Sequence, residues 1–162
     1  MNHVEAMDKT IRDIKSLNPY EEAFALLGNN YTCCLKNDLL NPIELQLQAK
    51  FYKEKVEVMI FPHPKIIQEK NLISVIKFVN EVNCYSNTYD LYGKFIMLSD
   101  TNDIAFATKL PYSYIESCSD YFFYAIQKPI EILIEVLPII IYISTGKITY
   151  EKGVELLKEM WG

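Results

Sequence analysis

Residues 72–110 read LISVIKFVNEVNCYSNTYDLYGKFIMLSDTNDIAFATKL, and this stretch decides the fold class. Leu72, Val75, Ile76, Val79 and Val82 recur at spacings of three and four, which places them on one face of an amphipathic helix. Residues 83–91 are polar and tyrosine-containing and read as a loop. Strands are predicted over 93–99 and 104–110, joined by the turn formers Asp100-Thr101-Asn102-Asp103 and closed by Pro111. A helix followed by a hairpin is a scaffold and carries no reaction chemistry.

Working outward toward the N-terminus, Val56 to Phe61 alternates, and so does Glu44-Leu45-Gln46-Leu47-Gln48-Ala49-Lys50-Phe51. Strict alternation turns one face of a strand to the core and the other to water. Lys53-Glu54-Lys55 reads as the turn between them, and Pro62 and Pro64 as the end of the second strand, since proline donates nothing to a ladder. Tyr31 to Leu35 is a third, short apolar strand, followed by a turn region over Asn37 to Pro42, so the three form an antiparallel meander. Before it, Val4, Met7, Ile11, Ile14 and Leu17 mark a first helix. Asn18-Pro19-Tyr20-Glu21 reads as a fresh helix start, with Ala23, Phe24 and Leu27 on one side and Gly28 as the stop.

The last third reads as helix. Ser117 or Ser119 serves as a cap, and Phe122, Ile126, Ile130, Leu133, Leu137 and Ile141 form a broad stripe that Pro129 and Pro138 should kink or break. Thr145-Gly146-Lys147 connects to a final helix capped by Thr149 and carrying Val154, Leu156, Leu157 and Trp161. No linker, repeat or low-complexity segment divides residues 1–162, so one α+β domain is expected, with an antiparallel sheet and helices in the order α-β-β-β-α-β-β-α.

That order resembles the type III secretion chaperone-like fold. The local wording is similar to one branch of it, the YbjN-like proteins, described as bacterial sensory-transduction regulators. The matching residues are Val79-Asn80-Glu81-Val82-Asn83, Gly93-Lys94-Phe95, the turn Asp100 to Asp103, Ile104-Ala105-Phe106, Leu110-Pro111 and Pro138. The wording covers about a third of the chain and the topology most of it. Tyr112-Ser113-Tyr114, the tyrosines between Tyr85 and Tyr92, and the extension Thr149 to Trp161 depart from the pattern. The resemblance implies a bacterial protein-binding module with no catalytic residues, and folds of this class commonly pair.

Composition bounds the rest. A chain of 162 residues with 50% apolar content buries about 70% of its unfolded surface and needs no disulfide or metal staple. A formal net charge of −5 without a basic run argues against nucleic-acid binding. Met1 to Thr10 does not read as a targeting segment, and Val136 to Ile143 is far too short to span a membrane, so the expected address is the cytosol. Cys33, Cys34, Cys84 and Cys118 lack metal-ligand spacing, and only His3 and His63 offer imidazole, so reduced, mostly buried thiols are expected.

The candidate chemistry is thin. Asp100, Asn102 and Asp103 resemble a calcium loop, but Ile104 stands where a ligand is needed and no glycine follows. His63 lies between two prolines and reads as an exposed loop residue. Glu131 and Glu135 share a helix face that reads as solvated, and Cys118 near a helix start lacks a matched histidine. No phosphate-cradling or nucleophile-elbow motif occurs. The aromatic residues from Tyr112 to Tyr124 are not interleaved with Arg or Lys, so they suit a core or a protein interface better than bases.

The expectation is therefore a non-enzymatic protein-interaction module, chaperone-like or a regulatory adaptor, without cofactor or metal and without catalytic residues. Alternatives are a small ligand-binding protein or enzyme with a pocket under the C-terminal helix, and an immunity or antitoxin-type protein masking a basic partner. A homodimer is expected, because Ile139-Ile140-Ile141-Tyr142-Ile143 would cover all sides of a helix.

Overall fold

The computed structural model describes residues 1–17, 24–35, 38–85 and 92–162. The chain is α+β, built on a six-stranded, wholly antiparallel sheet in the order β1-β2-β3-β4-β6-β5. Helix α1 spans His3–Leu17. The strands are β1 Phe24–Leu27, β2 Asn30–Leu35, β3 Glu44–Phe51 and β4 Lys55–His63. Helix α2, Leu72–Cys84, crosses to β5, Gly93–Leu98, at the far edge. Strand β6, Asp103–Pro111, then returns between β5 and β4. Three helices finish the chain: α3 Tyr112–Ser117, α4 Lys128–Ser144 behind a π-helical turn at Phe123–Gln127, and α5 Tyr150–Trp161.

The meander has four strands rather than three, which corrects the expected element order. Phe24–Leu27 is the extra strand, where a helix ending at Gly28 was expected; residues 18–23 of that helix lie outside the described ones. Leucine and alanine favour helices, but strand pairing overrides so weak a preference. Phe24 to Leu27 pairs residue for residue with Asn30 to Cys33. The two-residue turn Gly28-Asn29 makes this possible: Gly28 has φ of 60°, the left-handed conformation a tight hairpin needs at that position.

One sheet face is apolar at every strand. Tyr31, Cys33, Leu35, Leu45, Leu47, Ala49, Phe51, Val56, Val58, Ile60, Phe95, Phe106 and Leu110 are buried there in one core with helix residues. From the helices come Ile14 of α1, Val75, Phe78, Val79 and Val82 of α2, a dense set from α4, and Leu157 of α5. The face of α1 is rotated from the expected one: Ala6, Thr10 and Ile14 are buried, while Val4 is 56% exposed. In α2 the predicted stripe gains Phe78, and Leu72 and Ile76 are only half-buried.

Prolines behave differently from the expectation. β4 continues through Pro62, opposite Leu45, because β6 pairs β4 only as far as Ile60 and leaves that end an edge. Pro129 sits in the first turn of α4, where its missing N–H costs nothing, and α4 runs unbroken through Pro138, which faces solvent. Ser117 does not cap a following helix; its hydroxyl donates to Ser113 O at 2.8 Å within α3. Thr149 caps α5 as expected, accepting from Lys152 N. The run 139–143 is largely used inside the chain: Ile139, Ile140 and Ile143 are buried, and Ile139 and Ile143 lie against Gly153 of α5.

Side chains lock the layers together. Ser144 Oγ accepts from Gln68 N at 2.7 Å and donates to Ile66 O at 3.0 Å, tying α4 to the segment after β4. The Asn83 amide donates to Phe95 O and accepts from Phe95 N, both at 2.9 Å. It therefore occupies the outer side of β5 as a strand would, blunting that edge.

Gly93 leaves no room for a side chain, since a Cβ would land on the Ala107 carbonyl oxygen and on Thr108 Oγ1. Gly93→Ala should cost about 3 kcal/mol through this overpacking. Gly28→Ala meets nothing within 4 Å and should cost only about 1 kcal/mol for its positive φ. Urea midpoints measure both; equal losses would contradict this packing of β5 on β6.

Candidate protein-interaction surface

The second sheet face is largely open among the described residues; its buried positions are Asp103 and Ala105, near the start of β6, where the segment around Ile66 and Ile67 packs on Asp103. Across the register, Ala25, Thr32, Gln48, Met59, Ala107 and Lys94 form one row; in the next, Cys34, Gln46 and Phe61 align across β2, β3 and β4, and Ala105 stands opposite Ile96 across β6 and β5. Of these only Ala105 is buried, opposite Ile96 in the register. Ile96 remains 38% exposed. Ala107 is the smallest side chain at the middle of its row, with Met59 opposite on β4 and Lys94 opposite on β5. A depression of about 470 Å³ lies across β2 and β3, lined by Ala25, Thr32, Gln46, Gln48 and Phe61.

Charge gathers at one end of this face. Lys50 and Glu57 are opposite each other, Glu57 is opposite Lys109, and Lys55 and Lys94 stand one residue pair away. Lys55 Nζ and Lys109 Nζ each lie 3.3 Å from Glu57 Oε1, and the Tyr52 hydroxyl donates to Glu57 Oε2 at 3.2 Å. Burial pushes the Glu57 carboxyl up, but these three donors outweigh it and hold it below the ordinary carboxylate range. Lys50 and Lys55 flank the Tyr52 ring at 5.2 and 5.3 Å. A second depression, about 750 Å³, opens beside them between Tyr52, Lys53, Lys55, Pro111 and Tyr112. At the opposite end of the face, Glu44 accepts from the Cys34 thiol at 2.8 Å.

The residues singled out in the sequence fall elsewhere and are not brought together. Asp100 and Asn102 lie in the hairpin turn, where Asn102 takes a φ of 53°. His63 is exposed at the end of β4. Glu131 and Glu135 are exposed on α4, with Glu135 accepting from Trp161 Nε1 at 2.7 Å. Cys118 follows α3, its thiol directed to the Tyr114 hydroxyl at 3.3 Å. Burial first, then bonds to Cys118 and Tyr92, push the Tyr114 phenol up. The cysteines are less buried than expected: none is disulfide-bonded, Cys33 is in the core, Cys34 and Cys118 are half-buried and Cys84 is exposed.

Asp103 is the buried carboxylate that sequence reading placed in a turn. Its side chain faces the backbone N–H groups of Ile104, Ile66 and Ile67, with Lys65 near, and Oδ1 has no partner. Burial dominates and raises its pKa. A buried carboxylate of this kind can mark a reactive site. Here it ties the segment after β4 to the start of β6. Tyr121 plays a similar structural part, its hydroxyl donating to Asp13 Oδ2 while Lys9 pairs with Asp13 at 3.0 Å.

Beside the final helix, a cleft of about 440 Å³ is lined by Asn71, Ser74, Lys77, Lys147, Thr149 and Tyr150. Lys77 and Lys147 lie over the rings of Tyr150 and Tyr142. Among the described residues no helix is long and apolar enough to cross a membrane. No family model matches the chain, and no curated protein or solved structure matches it either.

Because the folded state raises the Asp103 pKa, the stability linked to its neutral form is present below the ordinary carboxylate pKa and lost as pH rises through the folded value. Asp103→Asn removes the buried charge, so it should raise the melting temperature at pH 7, with the gain vanishing near pH 4. A loss of the same size at both pH values, read by thermal melts, would contradict the role given to burial.

Proposed function

We propose that this chain is a non-enzymatic protein-interaction module, a chaperone-like or regulatory adaptor of the cytosol, that takes its partner on the open face of the sheet. One observation carries the reading: the middle of that face, over β4 and β6, is uncharged and partly apolar, and the charges stand around it, Lys94 on the edge strand β5 and the others at its ends. Interfaces share this anatomy, with charged residues depleted at the core and a polar rim. Met59, Phe61, Ala107 and Ile96 supply its accessible apolar surface.

The YbjN-like resemblance and the chaperone-like fold belong to the same proposal, supported by the meander, the crossing helix and the hairpin that follows it. A ligand pocket under the final helix has less support, because both lysines of the cleft there are laid over aromatic rings. A masked basic partner also has less support, because it would meet the lysines of this face. Self-association is a proposal of the same kind; with the run 139–143 largely covered by the chain itself, it would need another surface.

The test places a photo-crosslinking side chain at position 107 in living cells, with position 155 on the exposed side of α5 as the control. Crosslinks to defined partner proteins are expected from 107 and not from 155. Ala107→Arg, with circular dichroism unchanged, should abolish partner capture by the otherwise native protein. Equal capture at both positions, or capture indifferent to Ala107→Arg, would contradict the reading.

A further inference from the structure

The open face carries a charge opposite in sign to that of the whole chain. The net charge is −5, yet Lys50, Lys55, Lys94 and Lys109 converge at one end of this face from four different strands. On the strands themselves one carboxylate, Glu57, stands among them, already bonded to Lys55, Lys109 and the Tyr52 hydroxyl, while Lys53 and Glu54 of the adjoining turn offset each other. Four ammonium groups against one carboxylate leave an excess of positive charge. The ammoniums are accessible: the side chains of Lys55 and Lys109 are 46% and 68% exposed.

The apolar surface adjoins the lysines, with Lys94 directly opposite Ala107. Ala107 lies one register row from Lys109, and Ala105 two residues further along β6. Along an extended strand every second side chain lies on one face, about 7 Å apart. The low surface over Ala107, beside Met59, therefore takes one apolar side chain of a segment lying along β6, and the exposed Ile96 is within reach of the next. Where that segment passes the lysine end, its charged residues must be acidic to avoid like-charge contact.

We propose, on the basis of the docking reading above, that the occupant of this face is an acidic, apolar-punctuated segment of a partner protein. Its carboxylates meet Lys50, Lys55, Lys94 and Lys109, and its apolar side chains cover Met59, Ala107 and Ile96. Charges at the rim of an apolar contact select the partner and speed its approach more than they add affinity. The observations favour a protein segment over a nucleic acid. The surface next to the lysines, at Met59 and Ala107, is apolar, and the chain's single arginine, Arg12, lies on α1 rather than on this face. A net negative chain also repels an extended polyanion.

The experiment titrates the isotope-labelled full chain with three probes and follows backbone amides by NMR. The probes are an octapeptide alternating leucine and glutamate, its leucine–lysine counterpart, and an oligodeoxythymidylate. The leucine–glutamate peptide should move the amides of Lys50, Met59, Ala107 and Lys109, with affinity falling about tenfold from low to high salt as the charges are screened. The leucine–lysine peptide should bind at least about tenfold more weakly, from like-charge repulsion at the rim. Lys94→Glu combined with Lys109→Glu should reverse that preference while circular dichroism stays unchanged. If the leucine–lysine peptide moves the same amides equally well, the face docks proteins but the acidic specificity falls. Equal binding by the oligonucleotide also overturns the proposal, in favour of a phosphate-binding face. If no probe moves these amides, the proposal falls, and crosslinking at position 107 then decides whether the docking reading falls with it.

Discussion

The period-two alternation of the central strands, held in register across the sheet, is the constraint on which the rest depends. Leu45, Leu47, Ala49 and Phe51 of β3 fall opposite Pro62, Ile60, Val58 and Val56 of β4, and β6 continues the pattern with Phe106, Thr108 and Leu110. A slip of one residue would turn all of these to water and bury Lys50, Glu57 and Lys109 instead. Burying unpaired charges costs several kcal/mol each, so one register prevails. The helices then have one apolar surface to cover, and the other face is left open.

The two edges of the sheet are managed differently. β5 is blunted by the Asn83 amide, which takes both backbone groups of Phe95, and it carries Lys94. β1 pairs on one side with β2, and its Leu27 is 77% exposed. Unprotected apolar edges recruit further strands, whereas charged or capped ones resist this. The lysine-bearing β5 edge therefore borders the proposed docking face without itself inviting a strand.

Much of this architecture is legible in the residues, because alternation and helical spacing are local signals. Glu44 to Phe51 announces a strand with one wet face, and that wet face is the proposed surface. Nonlocal effects are what escape such a reading. Phe24 to Leu27 is too short for periodicity to mark, and it becomes a strand only through its pairing with β2. Pro62 looks like a strand end, but the early stop of its pairing with β6 turns its position into an edge. Asp103 reads as a turn residue, and its burial comes from the segment around Ile66 and Ile67 folding over it. The lysine cluster is invisible in the chain because its members lie at positions 50, 55, 94 and 109, and only the register of β3, β4, β6 and β5 gathers them. The run 139–143 misleads in the opposite direction. Its surplus of apolar surface suggests a partner copy, while α5 supplies much of the cover from within the chain.

The one-sided sheet is the central claim, and two neighbouring cysteines report on it. Cys33 lies on the core face of β2 and is 4% exposed, while Cys34 lies on the open face, half-buried beside Glu44. Thiol labelling of the native protein, with sites resolved by fragment mass spectrometry, compares the two directly. Cys34 should label in the folded state, and Cys33 only at the rate at which the whole chain unfolds. Labelling of Cys33 as fast as Cys34, or equal protection of both, would contradict a sheet with one covered and one open face.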